Sequence, residues 1–176
     1  MSALGARVGR WVELEPVTPA LEGELHQVYV QGDIASRWRT GGLVLPAEGF
    51  VDATSQGAVL DNALRARDGE VFGRVTVTQR SSWSTHAHVS AYVHPDARRR
   101  PAVIEGIAMG CAQAFDVLPI QKLYLEVVEY NVEQFGSALR YFEREGSLRE
   151  HVYLDGRYWD QHVYALTRER FENGVQ

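Results

Sequence analysis

The sequence predicts a single α/β domain, and three observations carry that reading. First, 176 residues with 45% hydrophobic side chains suit one compact unit with a sizeable core and would crowd two. Second, several segments alternate apolar and polar residues with the period of two that marks strands. Third, segments of helical period lie between them. Residues 10–170 are expected to form the domain, with 1–9 and 171–176 as flexible termini.

Trp11 to Val17 (WVELEPV) alternates as a half-buried strand does. Pro19 follows where a helix can start under a Thr18 cap, since proline loses no hydrogen bond in the first turn. That helix, over Ala20 to Val30, places Leu21, Leu25 and Val28 on one face. Asp33 can cap a short second helix carrying Ile34, Arg37 and Trp38. The glycine-rich GGLVLPAEGF reads as a loop. Asp52 to Arg67 reads as a helix with Val59, Leu60, Ala63 and Leu64 as its buried stripe, and Asp68-Gly69 turns the chain into the next strand.

Glu70 to Thr78 (EVFGRVTVT) and Thr85 to His94 (THAHVSAYVH) alternate around a short serine-rich turn and should pair as an antiparallel hairpin. Pro101 to Phe115 has helical period, and its several small residues predict close packing. Leu123 to Val128 is a strand. Asn131 can cap a further helix that ends near Glu145-Gly146, where glycine serves as the stop. Ser147 to Leu154 and Tyr158 to Arg168 flank Asp155-Gly156, a strong hairpin turn.

The net charge of −5 provides no global attraction to nucleic acid or anionic membrane, although Arg98-Arg99-Arg100 is a local basic patch that can meet phosphates. No apolar stretch approaches the roughly 20 residues of a membrane-spanning helix, and the start MSALGARVGR lacks a secretory signal, so a cytoplasmic location and no membrane partner are expected. The lone cysteine, Cys111, cannot form an internal disulfide, and no Cys and His spacing suits zinc, so no metal is expected. Inside a small-residue helix Cys111 should pack as a hydrophobe.

Two motifs carry a resemblance. The run Leu123-Tyr-Leu-Glu-Val-Val-Glu-Tyr-Asn131 looks like the fifth strand of the GNAT superfamily, a leucine-rich run with an embedded acid that closes on asparagine. Asp155-Gly-Arg-Tyr-Trp-Asp160 with His162-Val-Tyr-Ala-Leu-Thr-Arg168 is similar to the closing hairpin of its ribosomal-protein-alanine N-acetyltransferase branch. With the order of elements, the likeness spans about Trp11 to Arg170. It implies a mixed, mostly antiparallel twisted sheet flanked by helices on both faces. It further implies an N-acyltransferase with acetyl-coenzyme A or another acyl-coenzyme A as cosubstrate and a small-molecule or peptide amine as acceptor. The family's pyrophosphate loop aligns with Arg98-Arg99-Arg100-Pro101-Ala102-Val103, where proline replaces a glycine and removes an N–H, and Val103 adds bulk. Phosphate grip would then fall to the three arginines and the helix dipole.

Acyl transfer to an amine needs a neutral nucleophile, a polarised carbonyl and a proton for the thiolate. The resemblance places the base at Glu126; the alternative for that residue is a sheet carboxylate paired with a neighbouring arginine. His88, on one strand face with His86 and Ser90, can relay a proton through water or simply be an exposed strand histidine. The family's thiol-protonating tyrosine, counted back from Gly146, falls on Phe142 with Tyr141 beside it, which makes Tyr141 the candidate acid. Tyr92 and Val93 are implied to form a bulge whose backbone holds the carrier arm, and Asn131 belongs with this carrier site. Trp38, Arg39, Trp83, Tyr158, Trp159 and Asp160 are the candidates for the acceptor pocket, suiting a polar acceptor with a flat or apolar part. Asp160 either holds the acceptor ammonium or fixes its hairpin. Three readings stay open: coenzyme A as donor, aminoacyl-tRNA as donor on the same fold, and a non-catalytic binding module. A homodimer built through the closing hairpin also stays open.

Overall fold

A computed structural model describes residues 7–79 and 83–174. Its strands are β1 (Arg7–Val8), β2 (Val12–Pro16), β3 (Ala58–Ala66), β4 (Val71–Thr78), β5 (His86–Val93), β6 (Lys122–Val128), β7 (Glu143–Leu154) and β8 (Arg157–Thr167). The helices are α1 (Glu22–Tyr29), α2 (Ile34–Arg37), α3 (Phe50–Thr54), α4 (Pro101–Val117), α5 (Val132–Phe135) and α6 (Arg168–Glu172). The strands form one sheet in the order β1-β2-β3-β4-β5-β6-β8-β7. Every pairing is antiparallel except that of β5 with β6. The expected mixed, mostly antiparallel sheet with helices on both faces is therefore present. Among the described residues no helix is long and apolar enough to cross a membrane.

Strand alternation divides the buried side chains between two cores. On one face α4 covers Val12, Leu14, Leu64, Val75, Leu123 and Leu125. The small residues of α4 matter here. A Cβ at Gly106 would sit 2.8 Å from Leu64 Cδ2, and one at Gly110 would sit 3.0 Å from Val75 Cγ1, so glycine lets the helix settle onto the sheet. Cys111 is buried in this core, and burial pushes its thiol up to about 12. On the other face α1, α2 and α3 enclose Leu25, Tyr29, Ile34, Trp38, Phe50 and Tyr92. Pro19 opens a 3-10 turn, Pro19–Leu21, ahead of α1; Thr18 stands at its N-cap position, but its side chain makes no capping bond. The Asp33 side chain likewise does not cap α2 and pairs instead with Arg37 and Arg98.

Three expectations about elements are corrected. The helix expected over Asp52 to Arg67 is only α3, which ends before Gly57 at a φ of 73°; the rest is β3. The stripe misled because Asn62 is a buried polar residue that breaks the apolar alternation of a central strand. Its amide donates to Gln113 Oε1 of α4 at 2.9 Å, a partner no local pattern reveals. Val59, expected in the buried stripe, is 43% exposed. The helix after Asn131 consists of 3-10 turns on either side of α5 and stops at Tyr141, well before Gly146. Gly146 lies inside β7 at a register shift, so it marks a bulge and not a helix stop. Finally, β1 and α6 extend ordered structure into segments assigned to the termini.

Candidate active site

The sheet opens where its parallel pair comes apart. β5 and β6 are in register only over His86 with Lys122, Ala87 with Leu123 and His88 with Tyr124. Beyond that, Val89 to Val93 pair only with β4, and Leu125 to Val128 only with β8. One edge of each strand's backbone therefore faces a gap in the sheet. His88 and Glu126 stand where the gap begins. The Glu126 Oε1 lies 3.3 Å from His88 Nδ1, with side-chain exposures of 44% and 28%. The second oxygen, Oε2, accepts a hydrogen bond from Gln161 Nε2 of β8 at 2.6 Å. The carboxylate is thus oriented from both sides. The His88 ring also packs against Tyr124 and His86. Gln161 was not legible as a partner because its relation to Glu126 arises from β6–β8 register, Val128 opposite Gln161.

The α2 segment is tied across to the end of β6. Arg37 Nη1 donates to the Tyr130 carbonyl at 2.9 Å and to Asn131 Oδ1 at 2.8 Å, and Asn131 Nδ2 donates back to the Arg37 carbonyl at 2.9 Å. The Tyr130 hydroxyl donates to the Ser36 carbonyl at 3.0 Å. Asn131 is buried and engaged in this clamp, which is what the structure shows of a residue expected to cap a helix and touch the carrier.

At the other end of β5 no bulge occurs at Tyr92 and Val93, contrary to expectation. The β4–β5 register runs unbroken from Thr78 opposite His88 to Gly73 opposite Val93. Gly73 explains this: a Cβ there would lie 2.5 Å from the Tyr92 carbonyl oxygen, so glycine lets the strands close up without an extra residue. The Tyr92 side chain lies in the α1 core and its hydroxyl donates to the Leu25 carbonyl at 3.3 Å; burial holds its pKa above the ordinary range despite the opposing charge of Arg74. Val93 packs beside the α4 core.

In the loop before α4, the amides of Arg98, Arg100 and Val103 donate to the carbonyls of Pro95, Ala97 and Arg100. Ala102 and Val103 are buried. Arg98 Nη2 donates to Asp33 Oδ1 at 2.6 Å and Arg100 Nη1 to Glu70 Oε2 at 3.4 Å, while Arg99 is exposed. Burial opposes ionisation of Asp33, but the hydrogen bonds from Arg98 and Arg37 outweigh it and hold the carboxyl below its usual range.

The remaining candidates separate. Tyr141 ends the last 3-10 turn and its hydroxyl accepts from Arg140 Nη2 at 2.8 Å; Phe142 packs against the α4 core. The count back from Gly146 that paired these residues with the family's acid rested on a helix end that is in fact strand. Trp38 is buried against Tyr92, ring centroids 4.7 Å apart, and Arg39 lies over the Trp38 ring at 5.2 Å. Beneath them, the fully buried Arg74 pairs through two bonds with Asp61 and donates to Thr54 Oγ1 at 2.5 Å and Ser55 Oγ at 2.7 Å. Sequence reading missed this cluster because Asp61 was placed on a helix. Trp159 packs on Tyr130 at 5.0 Å. By the alternation of β8, Tyr158 and Asp160 share the side of Tyr164, which lies in the α4 core and opposite to Glu126. Asp160 Oδ1 accepts from the Glu150 amide at 2.9 Å, where β7 shifts register and Glu150 has a φ of 49°, and Tyr158 packs on Tyr153. Trp83 is 92% exposed at the β4–β5 turn.

No protein-family profile matches the sequence, and no curated protein matches it either. Solved structures do. A probable acetyltransferase of the GNAT family from Chromobacterium violaceum superposes with a TM-score of 0.79 at 18% identity, over 97% of this chain and 90% of its own. A GCN5-related N-acetyltransferase from Brucella melitensis gives 0.76 at 24% identity, over 95% and 80%. The spermidine N-acetyltransferase of Vibrio cholerae, solved with CoA and spermine, gives 0.79 at 17% identity, over 92% and 98%. The fold of this chain is therefore that of the GNAT acetyltransferases.

Proposed function

We propose that the chain is an N-acyltransferase that moves an acetyl or related acyl group from acyl-coenzyme A to a primary amine of a small molecule or peptide by direct attack. The observation that carries this reading is the His88–Glu126 pair, 3.3 Å apart, standing where the two parallel strands separate. The separated edges of β5 and β6 offer a stretch of backbone along which an extended carrier arm can lie. The spermidine N-acetyltransferase with bound CoA has this fold, which supports coenzyme A as the carrier.

In the proposed step Glu126 takes a proton from the amine, directly or through His88, and the freed lone pair attacks the thioester carbonyl carbon. The new C–N bond forms as the C–S bond breaks, and the sulfur departs with the bonding electrons. Gln161 holds Glu126 in one orientation, so less of its motion must be frozen in the reacting complex. Phe142 has no proton to give, and the Tyr141 hydroxyl, which accepts from Arg140, keeps its own O–H, so the departing thiolate is protonated by Tyr141 or by water. Aminoacyl-tRNA is the weaker alternative donor: Arg98 and Arg100 are already engaged by Asp33 and Glu70, which leaves Arg99 as the loop's remaining charge for a phosphate backbone.

The test is Glu126→Gln, which keeps shape and removes basicity. With acetyl-coenzyme A and a panel of amines, kcat should fall about 100-fold or more, the lower end of general-base contributions, with the far-UV circular dichroism unchanged. An unchanged kcat across pH would remove Glu126 from the role. Calorimetric titration with coenzyme A that shows no heat would count against the donor.

A further inference from the structure

Arg39 is a cation whose natural counter-charge is already used. It lies over the Trp38 ring at 5.2 Å, and no carboxylate pairs with it among the described residues. The one acid beside it, Asp61, is bound by Arg74 through both carboxylate oxygens and further held by the hydroxyls of Ser55 and Thr76. The side chain stays accessible at the surface. Even so, packing around its guanidinium and the nearby Arg74 charge hold its pKa below the ordinary arginine range. Positive charge therefore exceeds negative at this spot. The same holds one turn earlier, where Arg37 and Arg98 share the single carboxylate of Asp33. A polycation would be repelled here.

A second observation points the same way. Trp38 is buried to 8% exposure, and its indole Nε1 has no hydrogen-bond partner. Unpaired buried donors are rare and call for an explanation. The Arg39 guanidinium lies over the ring that carries this unpartnered N–H, and a guanidinium with a second N–H donor suits the two oxygens of a carboxylate. The location fits an acceptor as well. Asp61, Thr76 and Ser90 are aligned across β3, β4 and β5, and the next row along the same face holds Thr78 and His88. Successive rows on one face lie about 7 Å apart, so a group held near Arg39 and an amine near His88 and Glu126 can belong to one small molecule.

We propose that the acceptor is an amine that also carries a carboxylate, of the amino-acid class, with the carboxylate bound by Arg39 and the Trp38 indole N–H. This deepens the reading of the chain as an N-acyltransferase and rests on it.

The experiment uses the full chain, a set of L-amino acids and the matching amino-acid amides. Two readouts are taken: transfer from acetyl-coenzyme A, and direct calorimetric binding of the same compounds without donor. Amino acids should exceed their amides in kcat/KM by about tenfold or more, as a hydrogen bond to a charged group implies. Arg39→Gln should abolish that preference by raising KM for the amino acids about tenfold, to the level of their amides. Trp38→Phe keeps the ring on Tyr92 and removes the donor; it should reduce the preference in the same direction. Equal handling of acids and amides by the unaltered protein, or a preference that survives Arg39→Gln, overturns the proposal while leaving the transferase reading intact. Carboxylate binding that depends on Arg39 without any acyl transfer would instead support the site and overturn the transferase reading.

Discussion

Replacing Asp61 by asparagine should destabilise the protein by about 3 kcal/mol. Arg74 is fully buried and its partner carboxylate is only 13% exposed. Burial disfavours the charged guanidinium, yet Asp61 more than offsets it, so Arg74 stays above its ordinary range. Asp61→Asn removes that compensation and leaves a buried positive charge. Breaking a buried pair from one side costs about 3–5 kcal/mol. The lower end applies here because Thr54 and Ser55 still accept from the guanidinium. A loss of about 3 kcal/mol reduces the folded-to-unfolded ratio by roughly 100-fold, against a total stability of about 5–15 kcal/mol. Urea unfolding followed by tryptophan fluorescence measures it, with Trp38 a local reporter because the Arg74 guanidinium lies 6.0 Å from its ring. The double variant Asp61→Asn with Arg74→Met should be more stable than Asp61→Asn alone, since it deletes the orphaned charge. A single-variant loss under about 1 kcal/mol, or a double variant that loses the sum of both singles, would show that the pair is not coupled.

Two further outcomes follow from close approach and from a side-chain carboxylate that accepts from backbone amides. Gly73→Ala should cost about 1–3 kcal/mol because its Cβ would meet the Tyr92 carbonyl oxygen at 2.5 Å. Gly23→Ala in α1 meets nothing within 4 Å and should be neutral or stabilising by up to about 1 kcal/mol; equal thermal midpoints for the two variants would refute the contact. Glu105 of α4 accepts from the amides of Arg10 and Trp11 at 2.7 Å each and Val12 at 3.1 Å. Burial opposes ionisation, but these donors prevail and hold its carboxyl below the ordinary 4.5. A depressed carboxylate contributes stability that is fully present above that value and is lost as pH falls through the folded pKa. Glu105→Gln should therefore cost about 1 kcal/mol at pH 7 and show a shallower loss below about pH 4.5. An unchanged acid profile in urea titrations would exclude Glu105 as a contributor.

Local pattern sufficed where one residue's environment was set by its near neighbours. Alternation located β2, β4, β5, β6 and the β7–β8 hairpin, and small residues correctly announced the close seating of α4. The embedded acid of the Leu123 to Asn131 run and the face shared by His86, His88 and Ser90 brought Glu126 and His88 forward as candidates. Pattern failed where a polar residue had a distant partner. Asn62 interrupts the apolar rhythm of β3 because Gln113 satisfies it from α4, and Gly146 reads as a helix stop although it belongs to a bulged strand.

The sequence by itself determined the α/β character and the order of most elements, because backbone period and turn chemistry are local properties, while Glu126 was nominated by the resemblance of the Leu123 to Asn131 run. Only the tertiary structure decided what those residues face. The gap between β5 and β6, the orientation of Glu126 by His88 and Gln161, and the clamp of Arg37 on Asn131 all join segments far apart in the chain. So does the excess positive charge around Trp38, which exists because Asp61 is claimed by Arg74. Charge balance depends on which side chains meet across the sheet, and no one-dimensional pattern records that.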